Sequence, residues 1–306
     1  MHPALSVISF TTLLGAAQGF VVGIAFLCLL GEPPLGLVGM LEFSVVLLVT
    51  SLGLSFLHLG RPERAWRAAS MWRTSWLSRE VIVLPLFIGS TGCWALAERL
   101  GFWIPMLPLL CVALSALLWY CTAMIYACLT FIREWANPLT IVNYFALGLA
   151  SGFTLLTAAL WVTGNADQLV VKVAVLSIAI NALGMTSKLK ALTHNASLRS
   201  ASTVQSATGI REEPVRQISM GMSAGAFNTR EFFHGKTPTF LRHIRQVMVV
   251  AAFVSPILLL CLSLFYLNQW LSLVAVIVQF PGLLAERWLF FAQANHPQNL
   301  YYQRVS

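Results

Sequence analysis

Eight apolar runs, each near the length needed to cross a bilayer, dominate this 306-residue chain. Their approximate bounds are Val7–Leu30, Leu37–Leu57, Arg79–Ala97, Ile104–Phe131, Leu139–Val162, Leu169–Ser187, Gln246–Leu267 and Leu271–Phe291. A hydrocarbon core about 30 Å thick is crossed by ~20 helical residues. Inside it every backbone N–H and C=O must be paired within the protein, which leaves helices or a closed barrel. Barrel strands alternate over ~10 residues, whereas these runs are continuous and longer. The expected fold is therefore an all-α integral membrane protein with eight transmembrane helices, one membrane domain over residues 1–306. Composition agrees: 10% of residues are charged and mean hydropathy is +0.77, against about 25% charge in a soluble domain. The N-terminus, MHPALSVISF, has no basic leader and runs into a full-length span, so it reads as a retained helix and not a cleaved signal.

A formal charge of +8 suggests nucleic acid in a soluble protein. Here it reads as basic loops held on one side of a membrane, with no nucleic-acid partner. Eight spans place both termini on the side that also receives the connections after spans two, four and six. That side carries 17 of the 19 Lys and Arg residues. Both termini are accordingly expected in the cytoplasm.

Glycine spacing predicts where helices approach. Gly15, Gly19 and Gly23 share one face of span one, and Gly148 and Gly152 share one face of span five. Small residues at four-residue spacing let backbones pack closely in lipid. Residues 188–245 form a long polar connection without a span-length apolar run. Long unrepeated connections of this kind are functional or disordered. Phe232 and Phe233 among the charges of NTREFFHGKT suggest a docking surface, and 292–306 reads as a polar tail.

The chemistry concentrates in His58–Glu80, HLGRPERAWRAASMWRTSWLSRE. Five arginines (Arg61, Arg64, Arg67, Arg73 and Arg79) alternate with Trp66, Trp72 and Trp76. Ala65, Trp66, Ala69 and Trp72 recur at three- and four-residue spacing, the pattern of an amphipathic helix lying in the interface over 59–78.

The residue inventory excludes several chemistries. The six cysteines lie inside apolar runs with no close pairing, so an iron–sulfur cluster in this chain is disfavoured. Of the six histidines only His58 lies at a membrane edge, and no span offers it a partner, which disfavours haem and any His/Cys metal site. A transporter would place its coupling groups among Glu42, Glu80, Glu286 and Arg287. Most of these lie near span ends, where charges snorkel to the interface, and no broken helix or obvious inverted repeat accompanies them. A quinone site needs an apolar slot and groups that hydrogen-bond and exchange protons. His58 and Glu80 are suitable types, with tryptophan walls. A structural reading serves the same residues: His58 caps span two, and Glu80 pairs with Arg79 or Arg61.

HLGRPERAWRA followed by SWLSRE, after a second span, resembles the membrane-anchor subunit of the dimethyl sulfoxide reductase family of molybdopterin enzymes, the DmsC type. The resemblance covers the whole chain and implies an NrfD/DmsC-like bundle in the bacterial cytoplasmic (inner) membrane. It also implies two partners, a molybdopterin catalytic subunit and a ferredoxin-like iron–sulfur subunit. Those partners hold the molybdopterin and the clusters, and the anchor binds quinone, ubiquinone or menaquinone, without haem. The family's quinone-site His and Glu fall on His58 and Glu80, with Arg61 and Trp76 beside them. Arg61 stands where relatives can carry an uncharged residue. Partner docking is expected on Arg64, Arg67, Arg73, Arg230, Phe232 and Phe233. The basic loop and the tail NLYYQ also resemble the anchor of cytoplasmic sulfite dehydrogenases, the SoeC type. Sulfite oxidation is therefore preferred over menaquinol-driven reduction of dimethyl sulfoxide.

Overall fold

A computed structural model describes residues 1–57, 59–198, 202–211, 215–219, 229 and 231–302. His58 and Arg230 lie outside these residues. Eight of the described helices are long and apolar enough to cross a membrane. They are α1 (Leu5–Leu29), α2 (Leu37–Phe56), α3 (Trp76–Arg99), α4 (Met106–Ala127), α5 (Pro138–Val162), α6 (Asp167–Ser197), α8 (Pro238–Tyr266) and α9 (Gln269–Ala292). Between α6 and α8 lies the short α7 (Val204–Thr208). The bundle of eight spans is thus as expected.

Helix starts follow local chemistry. The Ser75 hydroxyl accepts from the Ser78 amide at the head of α3, and Thr237 accepts from Phe240 at the head of α8. Asn137 and Asn268 cap α5 and α9 in the same way. Such caps satisfy amides that the first turn leaves without partners.

Helices α1 and α5 form the centre of the bundle. Gly19 meets Gly148 and Gly152 so closely that a Cβ on Gly19 would collide with the Gly148 carbonyl, and one on Gly152 with the Gly19 backbone. The glycine stripes expected to pack do pack, against each other. Leu14, Phe20, Ile24, Leu41, Leu48, Phe87, Trp94, Leu118 and Leu156 fill the surrounding core. Polar side chains join α5, α6, α8 and α9 at mid-bundle. The Asn181 amide donates to Thr154 Oγ1 at 3.1 Å, and Gln279 Nε2 donates to Asn181 Oδ1 at 2.7 Å and to Ala252 O at 3.1 Å. Ala252 lies in a π-helical turn, Val250–Val254, whose backbone crowds Gly282. Side-chain hydrogen bonds are a principal glue between helices in lipid.

The two ends differ. One carries the exposed pairs Glu32–Lys172 and Glu42–Arg99. At the other, the Met1 ammonium donates to Ala294 O, Trp135 Nε1 donates to Phe290 O, and Asn295 donates to Glu134. The N-terminus, the connection after α4 and the chain after α9 therefore share one end.

Three boundaries differ from the sequence expectation. Helix α6 continues past Ser187 to Ser197, and α8 begins at Pro238, so the polar connection expected over 188–245 is helical at both ends. The apolar run stops at Lys188, but Leu192 continues the buried face and packs with Met248, Ala285 and Leu289. Span four ends at Ala127, and Ile132 and Trp135 beyond it fold back into a separate cluster with Ile8 and Phe291. The interfacial segment is a 3₁₀ helix over Pro62–Met71 instead of an α-helix. Ala65, Ala68 and Ala69 face inward, while Trp66, Met71 and Trp72 stay exposed. Small alanines let the tighter turn lie against the start of α3.

Candidate functional site

Glu80 stands in the second turn of α3, 5% exposed. Its Oε1 accepts from the Thr122 hydroxyl of α4 at 2.7 Å. A buried carboxyl without such a donor would forfeit its hydration at a cost of several kcal/mol. One turn earlier, Trp76 packs edge-on against Tyr120 with centroids 5.4 Å apart. Helices α3 and α4 thus meet at the Trp76–Tyr120 ring pair and, one turn further into the bundle, at the Thr122–Glu80 hydrogen bond.

The pairing of Glu80 with Arg79 or Arg61 does not occur among the described contacts. Arg79 turns the other way. Its Nε and Nη2 donate to Trp72 O and Arg73 O, each at 2.9 Å, and its guanidinium lies 4.0 Å from the Trp76 ring centroid. Arg79 thereby locks the interfacial segment to α3. Arg61 is exposed at the start of the 3₁₀ helix, and no hydrogen bond or ion pair among the described residues joins it to Glu80. The structure pairs Glu80 with Thr122, places Trp76 one turn before it on α3, and leaves Arg61 apart.

The outward face of the segment is basic and aromatic. Arg64, Arg67 and Arg73 are exposed beside Trp66, which is 70% exposed, and Trp72, which is 52% exposed. Arg67 and Arg73 lie over the rings of their neighbouring tryptophans at 5.5 and 5.2 Å. A guanidinium over an indole keeps most of its charge available to a partner.

A second polar site departs from the sequence expectation. Glu286 and Arg287, expected to snorkel, are 1% and 4% exposed, and Lys188, expected in a loop, is 4% exposed. Lys188 Nζ reaches Glu286 Oε1 at 2.5 Å, and Arg287 Nη1 faces Glu286 Oε2 at 3.6 Å. The Arg287 guanidinium lies 3.9 Å from the Tyr144 ring centroid. The signal present in the sequence is the Glu286–Arg287 dipeptide inside an apolar run; its partner lies 98 positions away and leaves no local trace.

On the same end, Phe232 stacks on His296 with centroids 3.9 Å apart, and Asn299 donates to Phe232 O. Phe233 is half-buried. His296 Nδ1 accepts from the Gln298 amide, which starts the short helix Pro297–Tyr301. Burial lowers the His296 pKa from its ordinary 6.5. The contribution of this cap is therefore present above pH 6.5 and is lost as pH falls through the lowered value. Hydrogen-exchange protection at 297–302, measured relative to the intrinsic exchange rate at each pH, should fall on acidification from about pH 7.5 to about pH 5. His296→Asn, which retains an acceptor but does not titrate, should remove the pH dependence.

Residues 1–292 match the family described as DMSO reductase anchor subunit (DmsC). The chain is also 45% identical, over the whole of both sequences, to an Allochromatium vinosum protein named as a subunit of sulfite dehydrogenase.

Proposed function

Because the chain belongs to the DMSO reductase anchor subunit (DmsC) family, we propose that it anchors a sulfite-oxidising molybdenum enzyme to the bacterial inner membrane and carries that enzyme's quinone site. The observation that carries this reading is Glu80: a buried carboxyl held by Thr122 in the second turn of α3, next to the basic, aromatic segment that Arg79 ties to the head of that helix. The sulfite specificity rests on likeness to the Allochromatium vinosum protein and on the 17 basic residues assigned to one side. The same charge count puts both termini, and the partners, in the cytoplasm.

The residue types fit a quinone head: a carboxyl that can exchange protons, a hydroxyl that orients it, and aromatic walls from Trp76 and Tyr120. Bound quinone supplies a two-electron, two-proton acceptor. Thr122 holds the Glu80 carboxyl toward the α3–α4 seam. Trp76 and Tyr120 exclude water from one side, and His58 lies between α2 and the interfacial segment in the chain. Glu80 and His58 carry protons to and from this site.

Arg64, Arg67 and Arg73 present the surface on which the iron–sulfur subunit docks, with the molybdopterin subunit beyond it, and Arg230, Phe232 and Phe233 take part in that docking. Exposed single charges contribute little each, so docking rests on the cluster. In cells that make all three subunits, the double substitution Arg64→Ala and Arg67→Ala should move sulfite-oxidising activity from the membrane fraction to the soluble fraction. The anchor itself should remain in the membrane. Unchanged membrane retention would sink the docking assignment.

A further inference from the structure

We propose that the groove between α2 and α3, at the end of the bundle opposite the termini, binds one phospholipid whose headgroup carries a primary ammonium beside its phosphate. Arg99 stands 19 residues beyond Glu80 on α3, about 28 Å at the helical rise. The lipid site is therefore separate from the proposed quinone pocket.

The groove has a volume of about 250 Å³. Val45, Gly92, Ala95 and Leu96 line its apolar part, and Glu42 and Arg99 line its polar end. Small residues on α3 leave this space. A Cβ on Gly92 would meet nothing within 4 Å. Lining atoms without neighbours forfeit their dispersion contacts, and on the outer face of a membrane bundle the solvent that fills such a groove is lipid. An acyl chain is the natural occupant of the apolar part.

The ion pair sits at headgroup depth. Glu42 is in the second turn of α2, and Arg99 is the last residue of α3. Exposed Phe102 and Trp103 follow Arg99 directly. Aromatic residues of this kind mark the boundary between hydrocarbon and water.

Charge selects the headgroup. Arg99 Nη1 donates to Glu42 Oε1 at 2.8 Å. The other carboxylate oxygen, and Nε and Nη2 of the guanidinium, have no hydrogen-bond partner among the described residues. A guanidinium holds phosphate through paired N–H groups, and a carboxylate accepts from an ammonium. A lipid that carries both charges completes an alternating set of four. Phosphatidylglycerol brings the phosphate alone, and its charge opposes Glu42. Phosphatidylcholine brings a cation with no N–H to donate. Phosphatidylethanolamine satisfies both partners. The exposed Glu32–Lys172 pair at the same end is the control, because an exposed pair contributes little by itself.

The test uses the full chain, purified with the subunits it retains, stripped of lipid in detergent. It is titrated with dioleoyl phosphatidylethanolamine, phosphatidylcholine and phosphatidylglycerol, and native mass spectrometry counts the lipids bound. One phosphatidylethanolamine should bind about tenfold more tightly than either alternative, the effect of one charge-assisted hydrogen bond. Glu42→Gln should erase most of that preference, and Arg99→Gln should weaken all three lipids about tenfold. Gly92→Leu fills the groove without touching the ion pair and should abolish the tight site. Lys172→Gln should change nothing. Equal binding of the three lipids by the wild type, or tighter binding of phosphatidylglycerol, would overturn the headgroup assignment. Unchanged binding in both Glu42→Gln and Arg99→Gln would remove the ion pair from the site. A folded Gly92→Leu that still binds the lipid would remove the groove. Should Gly92→Leu not fold, the two exposed substitutions still decide the matter.

Discussion

Glu80→Gln is expected to lower sulfite-dependent quinone reduction about 100-fold or more, the range lost when a positioned proton-transfer group is removed. Three features make this substitution informative. Glutamine keeps the carbonyl oxygen that accepts from Thr122, at present a 2.7 Å contact. It keeps the volume of a side chain that is 5% exposed, so no cavity opens. It removes the ability to exchange a proton at neutral pH. Assembly, membrane retention and dye-linked sulfite oxidation should all remain at wild-type levels, because none passes through Glu80. Loss of assembly would instead assign Glu80 to the α3–α4 contact. Thr122→Val should give a smaller fall, since it leaves the carboxyl present but releases its orientation.

The second large effect is on folding. Gly152→Ala should cost about 1–3 kcal/mol, the usual penalty of overpacking a close contact, and should sharply lower the amount of folded protein in detergent. The added methyl group would strike the Gly19 backbone, which no rotamer change relieves. Helices α1 and α5 would have to separate at the centre of the bundle. The matched control is Gly92→Ala on α3, whose Cβ meets nothing nearby and which should stabilise slightly through helix propensity. A thermal unfolding midpoint equal in both variants would contradict the close crossing.

The membrane fold is legible in the sequence because it is set by run length. Eight apolar stretches correspond to eight spans, and the glycine stripes meet as their spacing requires. Features set by contacts between distant residues are less legible. Nothing near Glu80 announces Thr122, which lies 42 positions away. Arg79, adjacent to Glu80, is an obvious partner in sequence, yet the last turn of the interfacial segment offers its guanidinium two carbonyls and an indole. Hydropathy ends a span at the first cation and so places Lys188 in a loop. The helix continues because that cation meets Glu286 and because Leu192 still faces the core. The interfacial segment shows its amphipathic spacing but not its 3₁₀ geometry, which depends on packing against α3.

The role proposed for this anchor is to connect sulfite oxidation to membrane quinone. The direct measurement compares membranes from cells that produce the catalytic and iron–sulfur partners with and without this chain, following sulfite-dependent reduction of decylubiquinone. Reduction is expected only when the chain is present. Sulfite-independent membranes that instead oxidise quinol with dimethyl sulfoxide would retain the family and contradict both the substrate and the cytoplasmic orientation proposed for its partners.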